Sequence, residues 1–217
     1  NAYKAKIWHN YGVMQQLKDD NKKFADILLN KSIPYAQLSG DSVYLGKCFF
    51  DLGLTFKNMG QKDKVEEYCN TAIKILTNAK APYDQLVAVY IMAAENYCLL
   101  SKLPQAKVML DTAKSILQLF PQSRYNADYY ASESMYYNIK ELYPQALESV
   151  NKGVELANSL NLSYNANRLL LQKYYAYFGQ KNYTKAKEVL EYLQNQSNFQ
   201  LGENKLQIYS GMAETFA

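Results

Sequence analysis

Histidine is almost absent from this sequence, and its scarcity excludes whole classes of active site. His9 is the single histidine in 217 residues, so a Ser-His-Asp triad, a Cys-His pair or a histidine-ligated metal would all need that one side chain. The three cysteines, Cys48, Cys69 and Cys98, lack CxxC spacing, and an odd number argues against a complete disulfide framework. We therefore expect no catalytic, metal or cofactor site. We expect His9 to be partly exposed on the first helix, and Cys69 and Cys98 to be small buried residues.

Long apolar runs, basic clusters and glycine-rich loops are also missing. No apolar run approaches the roughly 18 residues that a membrane span needs. Neither a lysine- and arginine-rich nucleic-acid motif nor a phosphate-binding glycine loop is present. Nucleic acid and membrane are therefore not expected as partners of this segment. The 48% of hydrophobic residues, against 20% charged, nevertheless suffice for a continuous core.

A small residue recurs every 40 or 41 positions, and this is the clearest regularity in the sequence. These five anchors are Ala25, Val65, Ala106, Ala146 and Ala186. Further small residues stand twelve positions before an anchor, at Gly53, Ala94 and Ser134, or seven positions after one, at Ser32, Ala72, Ala113 and Gly153. Aromatic residues stand nine positions before an anchor, at Phe56, Tyr97, Tyr137 and Tyr177. Because helices approach closely only where side chains are small, the pattern predicts stacked antiparallel helix pairs.

These motifs resemble the tetratricopeptide repeat (TPR). The resemblance is carried by Leu52, Gly53, Phe56, Gly60, Val65, Cys69 and Ala72 in the second repeat, by Tyr90, Ala94, Tyr97, Ala106, Leu110 and Ala113 in the third, and by Tyr130, Ser134, Tyr137, Ala146, Val150 and Gly153 in the fourth. It implies an all-α fold, a right-handed superhelix (alpha-alpha solenoid) of about five TPR-like helix pairs plus a terminal half-repeat. The commonest period in that family is 34 residues, so about six extra residues lengthen helices or linkers here. Longer-period relatives occur among bacterial signalling regulators.

We expect one solenoid domain over residues 1–217, taken from a longer protein. The repeats are predicted at about 4–40, 41–81, 82–121, 122–161 and 162–201, with a partial repeat at 202–217. The helical period places helix pairs at 4–17 and 22–37, 42–59 and 62–78, 83–101 and 104–119, 124–141 and 144–159, and 164–179 and 183–195.

Four residues depart from the repeat pattern. Pro34 falls inside a predicted helix, so we expect a kink or an early helix end there. Gly12 lies one position early for its small-residue place, which predicts an extra residue in the turn that follows, around 18–21. Tyr174 and Leu193 occupy small-residue places in the fifth repeat, and they predict looser or differently registered packing.

The resemblance also implies a recognition face. In TPR proteins the first helix of each repeat lines the concave side, and the second, fifth, ninth and twelfth positions of the repeat contact ligands. Transferred through the anchors, these positions give the candidate binding residues Lys47, Phe50, Leu54, Lys57, Ile91, Glu95, Met135, Asn138, Arg168, Leu171, Tyr175 and Phe178. Members that grip a C-terminal carboxylate use Lys, Asn and Arg at fixed places. The sixth positions here hold Asp51, Met92, Ser132 and Gln172, so we expect an apolar face without that clamp.

The function expected from this face is non-enzymatic binding of a protein or peptide, such as an apolar peptide or an amphipathic helix. The resemblance suggests the sensor or regulatory TPR region of a bacterial signalling or transcription-regulating protein, periplasmic or cytoplasmic. Two alternatives stay open. A small-molecule receptor pocket in the solenoid hollow would use Glu95, Asn138, Lys57 and Tyr175, and a purely architectural scaffold would hold domains apart or form a homodimer.

Overall fold

The computed structural model describes residues 1–195, and within that range the chain is helical with no strand. The helices are α1 (Ala2–Gln16), α2 (Asn21–Ile27), a π-helical turn (Leu28–Ser32), α3 (Ile33–Ser39), α4 (Ser42–Asn58), α5 (Lys62–Asn78), α6 (Tyr83–Leu99), α7 (Leu103–Leu117), α8 (Tyr125–Ile139), α9 (Tyr143–Ser159), α10 (Ser163–Gly179) and α11 (Tyr183–Gln194). The predicted helix pairs are confirmed to within two residues at each end. The partial repeat predicted at 202–217 lies outside the described residues.

The chain divides into two compact units. The first comprises residues 1–116, and the second begins at Leu117. In the first unit α1 packs on α2 and α3, α4 packs on α5, and α5 packs on α6. In the second unit α9 packs on both α8 and α10, and α10 packs on α11. We refer to α1, α4, α6, α8 and α10 as the first helices, because each opens a repeat.

The anchors are buried in the packing between helices, as the repeat pattern predicts. Ala106, Ala146 and Ala186 have no exposed surface, and Ala25 and Val65 are almost fully buried. At Gly153 an added Cβ would lie 2.6 Å from Cδ2 of Leu169 and 2.8 Å from Cβ of Tyr130. The repeat therefore depends on small side chains because neighbouring helices leave no room for larger ones.

The turn between the two helices of a repeat has the same form in repeats two to five. Its middle residue has a positive φ, at Gly60 (71°), Ser101 (57°), Glu141 (59°) and Lys181 (59°). The residue after it donates its N–H to the carbonyl of the recurring aromatic residue, with distances of 2.8 to 3.0 Å. This arrangement closes a helix end through the last free carbonyls. In the first repeat the turn is one residue longer and Asp19 has the positive φ (61°), which confirms the extra residue.

Replacing Ser101 with glycine is expected to raise the free energy of unfolding by about 1 kcal/mol, because a residue with a Cβ is strained at positive φ. The reverse change at the equivalent position of the second repeat, Gly60→Ala, should lower the free energy of unfolding by a similar amount. Urea unfolding followed by circular dichroism measures both. A loss of stability in Ser101→Gly would contradict the left-handed turn.

Pro34 does not end its helix. The chain stays helical from Asn21 to Ser39, and the strain is absorbed one turn earlier by the π-helical segment. There the N–H of Ile33 bonds to the carbonyl of Leu28, five residues back. Because proline has no N–H and its ring crowds the preceding turn, a widened turn accommodates it. The early end is therefore wrong, and a local change of helix type replaces it.

The fifth repeat fills its core with large side chains. Tyr174 and Leu193 stand where other repeats have small residues, and both are fully buried. They form one cluster with Leu171, Ala186 and Leu190. The large residues at these two positions thus change which side chains meet between α10 and α11. The core between the two helices is filled.

Candidate functional site

The predicted binding residues of the first unit lie on α4 and α6, and their charges are paired within the chain. Lys57 Nζ forms an ion pair with Glu95 Oε2, and the Glu95 side chain is almost fully buried. Ile91 is buried. Phe50 and Leu54 are half-buried, and Lys47 is exposed. The ion pair ties the first helices of consecutive repeats together, so its charges are already neutralised.

Arg168, a predicted binding residue of the second unit, takes part in a similar ion pair that joins α10 to α8. Arg168 Nη1 lies 3.0 Å from Asp128 Oδ1, and Asn165 Nδ2 donates to the same oxygen at 2.7 Å. Both members of the ion pair are largely buried. A charge-assisted bond in such a setting is strong enough to fix the side chains. Arg168 therefore orders the face and is engaged by its own chain.

Asn138 is held in one orientation by the neighbouring repeat. Its Nδ2 donates to the main-chain carbonyl of Gln172 at 2.9 Å and to the Gln172 Oε1 at 3.1 Å. Because a carbonyl can only accept, this contact fixes which end of the Asn138 amide is the nitrogen. The Asn138 Oδ1 is buried and has no hydrogen-bond partner. An unsatisfied buried acceptor of this kind is unfavourable until a donor reaches it.

Aromatic side chains continue the same surface along α10. Tyr175 is 38% exposed, and its ring lies 5.1 Å from that of Tyr174. Phe178 packs on the core edge, with ring centroids 5.8 Å from Tyr174 and 5.5 Å from Tyr183. Leu171 belongs to the core of the fifth repeat, whereas Met135 on α8 is half-buried. We call Met135, Asn138, Tyr175 and Phe178 the α8–α10 face.

His9 is where sequence reasoning failed most clearly. It was expected to be partly exposed, but it is 4% exposed. Its Nδ1 lies 2.9 Å from the Tyr44 hydroxyl, and its Nε2 lies 3.0 Å from Asp51 Oδ2. The ring also packs against Phe24. The expectation is wrong because the His9 side chain lies between α1 and α4. Its polar partners belong to the next repeat, so the position of His9 within α1 alone does not predict them.

The positions of the carboxylate clamp are occupied by other interactions. Asp51 faces His9, and Met92 is buried. Ser132 Oγ donates to the carbonyl of Asp128 within its own helix, and Gln172 accepts from Asn138. These four side chains are thus engaged within the chain, and the apolar character of the face stays a prediction.

Chemistry at the cysteines is suppressed by burial. Cys48, Cys69 and Cys98 are buried free thiols. Burial is the main cause that raises the pKa of each thiol from its ordinary value to about 12, so the nucleophilic thiolate is scarce near neutral pH. Tyr44 likewise has its pKa raised, first by burial and then by Cys48, Asp51 and Asp41.

Within residues 1–195 no group of three or more His, Cys, Asp or Glu could hold a metal ion. In the same range, every helix is too short or too polar to cross a membrane.

Comparison with solved structures shows which fold the chain has. No protein-family model and no curated protein matches the sequence. The apo form of RapI superposes with a TM-score of 0.70 at 14% identity, over 98% of this chain and 59% of RapI. TPR-like repeats of a Podosopora anserina kinesin light chain give 0.66 at 14%, over 97% and 95%. A Pyrococcus horikoshii signal transduction ATPase with numerous domains, which has a TPR sensor, gives 0.62 at 19%, over 98% and 32%.

The chain therefore has the tetratricopeptide-repeat fold, an all-α solenoid of helix pairs. It spans 59% of RapI and 32% of the ATPase.

Proposed function

We propose that this chain is a non-enzymatic module that binds a peptide or an amphipathic helix on the α8–α10 face. One observation carries the proposal. Large apolar side chains, Tyr175 above all, remain accessible on a face whose charged groups are neutralised by internal partners. Such a surface has no unpaired charge with which to bind a highly charged ligand, but it can bury apolar side chains. Tyrosine contributes a large contact area at little entropic cost.

The unsatisfied acceptor of Asn138 supports a peptide ligand in particular. A peptide carries a main-chain N–H at nearly every residue, so it can supply the donor that Asn138 Oδ1 lacks. Met135 stands one helical turn before Asn138, and its flexible side chain can move to admit a ligand. An apolar peptide would then be oriented by one hydrogen bond and held by the surrounding apolar contacts.

The biological setting we propose is a regulatory one. We infer that the chain serves as the sensor or regulatory TPR region of a bacterial signalling or transcription-regulating protein. The likeness in fold to RapI and to the TPR sensor of the signal transduction ATPase supports this setting. The test uses the full product of the gene that encodes this chain, whose regulatory output is assayed with and without a peptide that binds the α8–α10 face. A change in output activity on adding a bound peptide is the expected result, and an output that ignores the peptide would contradict it.

The binding site is tested by peptide selection. A phage-displayed library of random peptides is selected on the chain, and the enriched peptides are assayed by isothermal titration calorimetry. Tyr175→Ser and Asn138→Ala should each weaken binding about tenfold, as expected for residues at the centre of an interface. Tyr192→Ser is the matched control, because Tyr192 is an exposed tyrosine of α11 that does not belong to the α8–α10 face. Enriched peptides that bind all four proteins equally would refute the site.

A further inference from the structure

Two side-chain amides at the α8–α10 face leave one acceptor and one donor for a ligand. Asn138 Oδ1 is buried and has no hydrogen-bond partner. Asn138 Nδ2 donates to Gln172 Oε1 at 3.1 Å, so the oxygen of the Gln172 amide is engaged and Nε2 is its other end. Among residues 1–195, no acceptor bonds to Gln172 Nε2. We call Asn138 Oδ1 and Gln172 Nε2 the amide pair.

Hydrogen bonds between α8 and α10 keep the two atoms of the amide pair in their roles. Asn138 Nδ2 also donates to the main-chain carbonyl of Gln172 at 2.9 Å. A carbonyl only accepts, so the Asn138 atom that meets it is nitrogen, and the Gln172 side-chain atom that meets this nitrogen is oxygen. Turning either amide over would bring two donors or two acceptors together. The amide pair therefore offers a ligand one acceptor and one donor.

The chemistry of the amide pair selects a neutral ligand group that has both functions. An ammonium group has no acceptor, and a carboxylate has no donor. Placing either charge beside a buried amide oxygen also costs solvation free energy that no opposite charge recovers. Every peptide residue except proline carries one N–H and one C=O on its main chain. The main chain of a peptide therefore matches the amide pair.

The conformation of that main chain decides whether both groups are available together. In an extended chain the N–H and C=O of one residue point to the same side, as in a hydrogen-bonded pair of antiparallel strands. Inside an α-helix both groups are bonded within the helix. The first turn of a helix leaves only N–H groups free, and the last turn leaves only C=O groups free. No part of a helix can therefore bond to both atoms of the amide pair.

We propose that the α8–α10 face binds its peptide in an extended conformation. The N–H of one ligand residue donates to Asn138 Oδ1, and the C=O of the same residue accepts from Gln172 Nε2. The inference rests on the proposed function, because it specifies the peptide that the same face binds. It selects an extended peptide over an amphipathic helix as the ligand.

The first test is an N-methyl scan of a peptide selected on the chain from the phage library, followed by isothermal titration calorimetry. Methylating the one N–H that bonds to Asn138 should weaken binding about tenfold. The matched controls methylate the two neighbouring residues, whose N–H groups point to the other side of an extended chain. In Asn138→Ala the sensitive methylation should cost at most about twofold, since the acceptor is already gone.

The second test removes the donor of the amide pair. Gln172→Met keeps a side chain of similar length without a donor, and it should weaken binding of the same peptide about tenfold. Gln180→Met is the matched control, because Gln180 is exposed just after the end of α10, and its affinity should not change. The Cα chemical shifts of a ¹³C-labelled peptide report the bound conformation, and they should take the values of an extended chain.

The outcomes separate this inference from the proposed function. Helical Cα shifts, or a scan without any methylation whose cost depends on Asn138, would overturn the extended conformation even if Tyr175→Ser still weakens binding. Loss of the Asn138 dependence on replacing an Asn or Gln of the peptide with Leu would show that a ligand side chain occupies the amide pair, which also contradicts the proposal. If no selected peptide is weakened by Tyr175→Ser, the proposed function fails and the inference fails with it.

Discussion

Tyr174→Ala is expected to lower the free energy of unfolding by about 3–5 kcal/mol, the range for deleting a large buried aromatic side chain. Tyr174 stands at a position where the repeat pattern calls for a small residue. A substitution that restores the pattern would ordinarily be harmless or stabilising. Here Tyr174 is fully buried among Leu171, Leu190 and Leu193, so alanine leaves a cavity that a helix pair packed around tyrosine cannot close.

The matched control for this experiment is Ser134→Ala, at the same position of the fourth repeat. Ser134 is also buried, but only its hydroxyl is lost, together with the bond from Oγ to the carbonyl of Ala131 at 2.8 Å. The expected loss is about 1 kcal/mol or less. Urea unfolding of both variants gives the comparison. Equal stabilities for Tyr174→Ala and the unchanged chain would mean that α10 and α11 pack more loosely than the structure shows.

Ala146→Leu is expected to destabilise the second unit by about 1–3 kcal/mol through overpacking. Ala146 is an anchor with no exposed surface, and its helix α9 packs on both α8 and α10. A leucine there must push the helices apart or adopt a strained rotamer. Thermal unfolding followed by circular dichroism should therefore show a lower melting temperature.

Gln145→Leu provides the control, because Gln145 precedes Ala146 on the same helix and is exposed. The same side chain is introduced one position away, and the expected change is within about 0.5 kcal/mol. If the melting temperature falls equally in both variants, the loss of stability comes from adding a leucine to α9 and not from overpacking at the anchor. An unchanged melting temperature for Ala146→Leu would show that the anchors are not helix contacts.

Much of the fold follows from features that a linear sequence can carry. The spacing of Ala106, Ala146 and Ala186 determines the repeat because close helix contacts exclude large side chains at regular intervals. The length of a turn is also a local property. Because Gly12 lies one position early relative to its anchor, the sequence alone predicts the extra turn residue near Asp19. The π-helical turn before Pro34 was missed, since the sequence requires some accommodation of proline without specifying its form.

The candidate site was predicted less completely, because it depends on contacts between repeats. Lys57 and Glu95 were placed on the face individually, but their ion pair requires the offset between α4 and α6. Arg168 and Asp128 pair for the same reason across α8 and α10. Leu171 satisfies the positional rule for a binding residue, yet it is buried beside Tyr174 because the fifth repeat uses large core residues. Its role in binding, like that of the other candidate residues, stays a prediction.

The proposal of a peptide site on the α8–α10 face is tested most directly by the methionine methyl spectrum of the chain. Met135 belongs to the face, whereas Met14 and Met59 lie in the first unit. Met135→Leu assigns its resonance. On titration with a peptide selected from the library, the Met135 resonance should shift saturably with the calorimetric affinity, and those of Met14 and Met59 should stay in place. A bound peptide that leaves Met135 unchanged and shifts a methionine of the first unit would contradict the account.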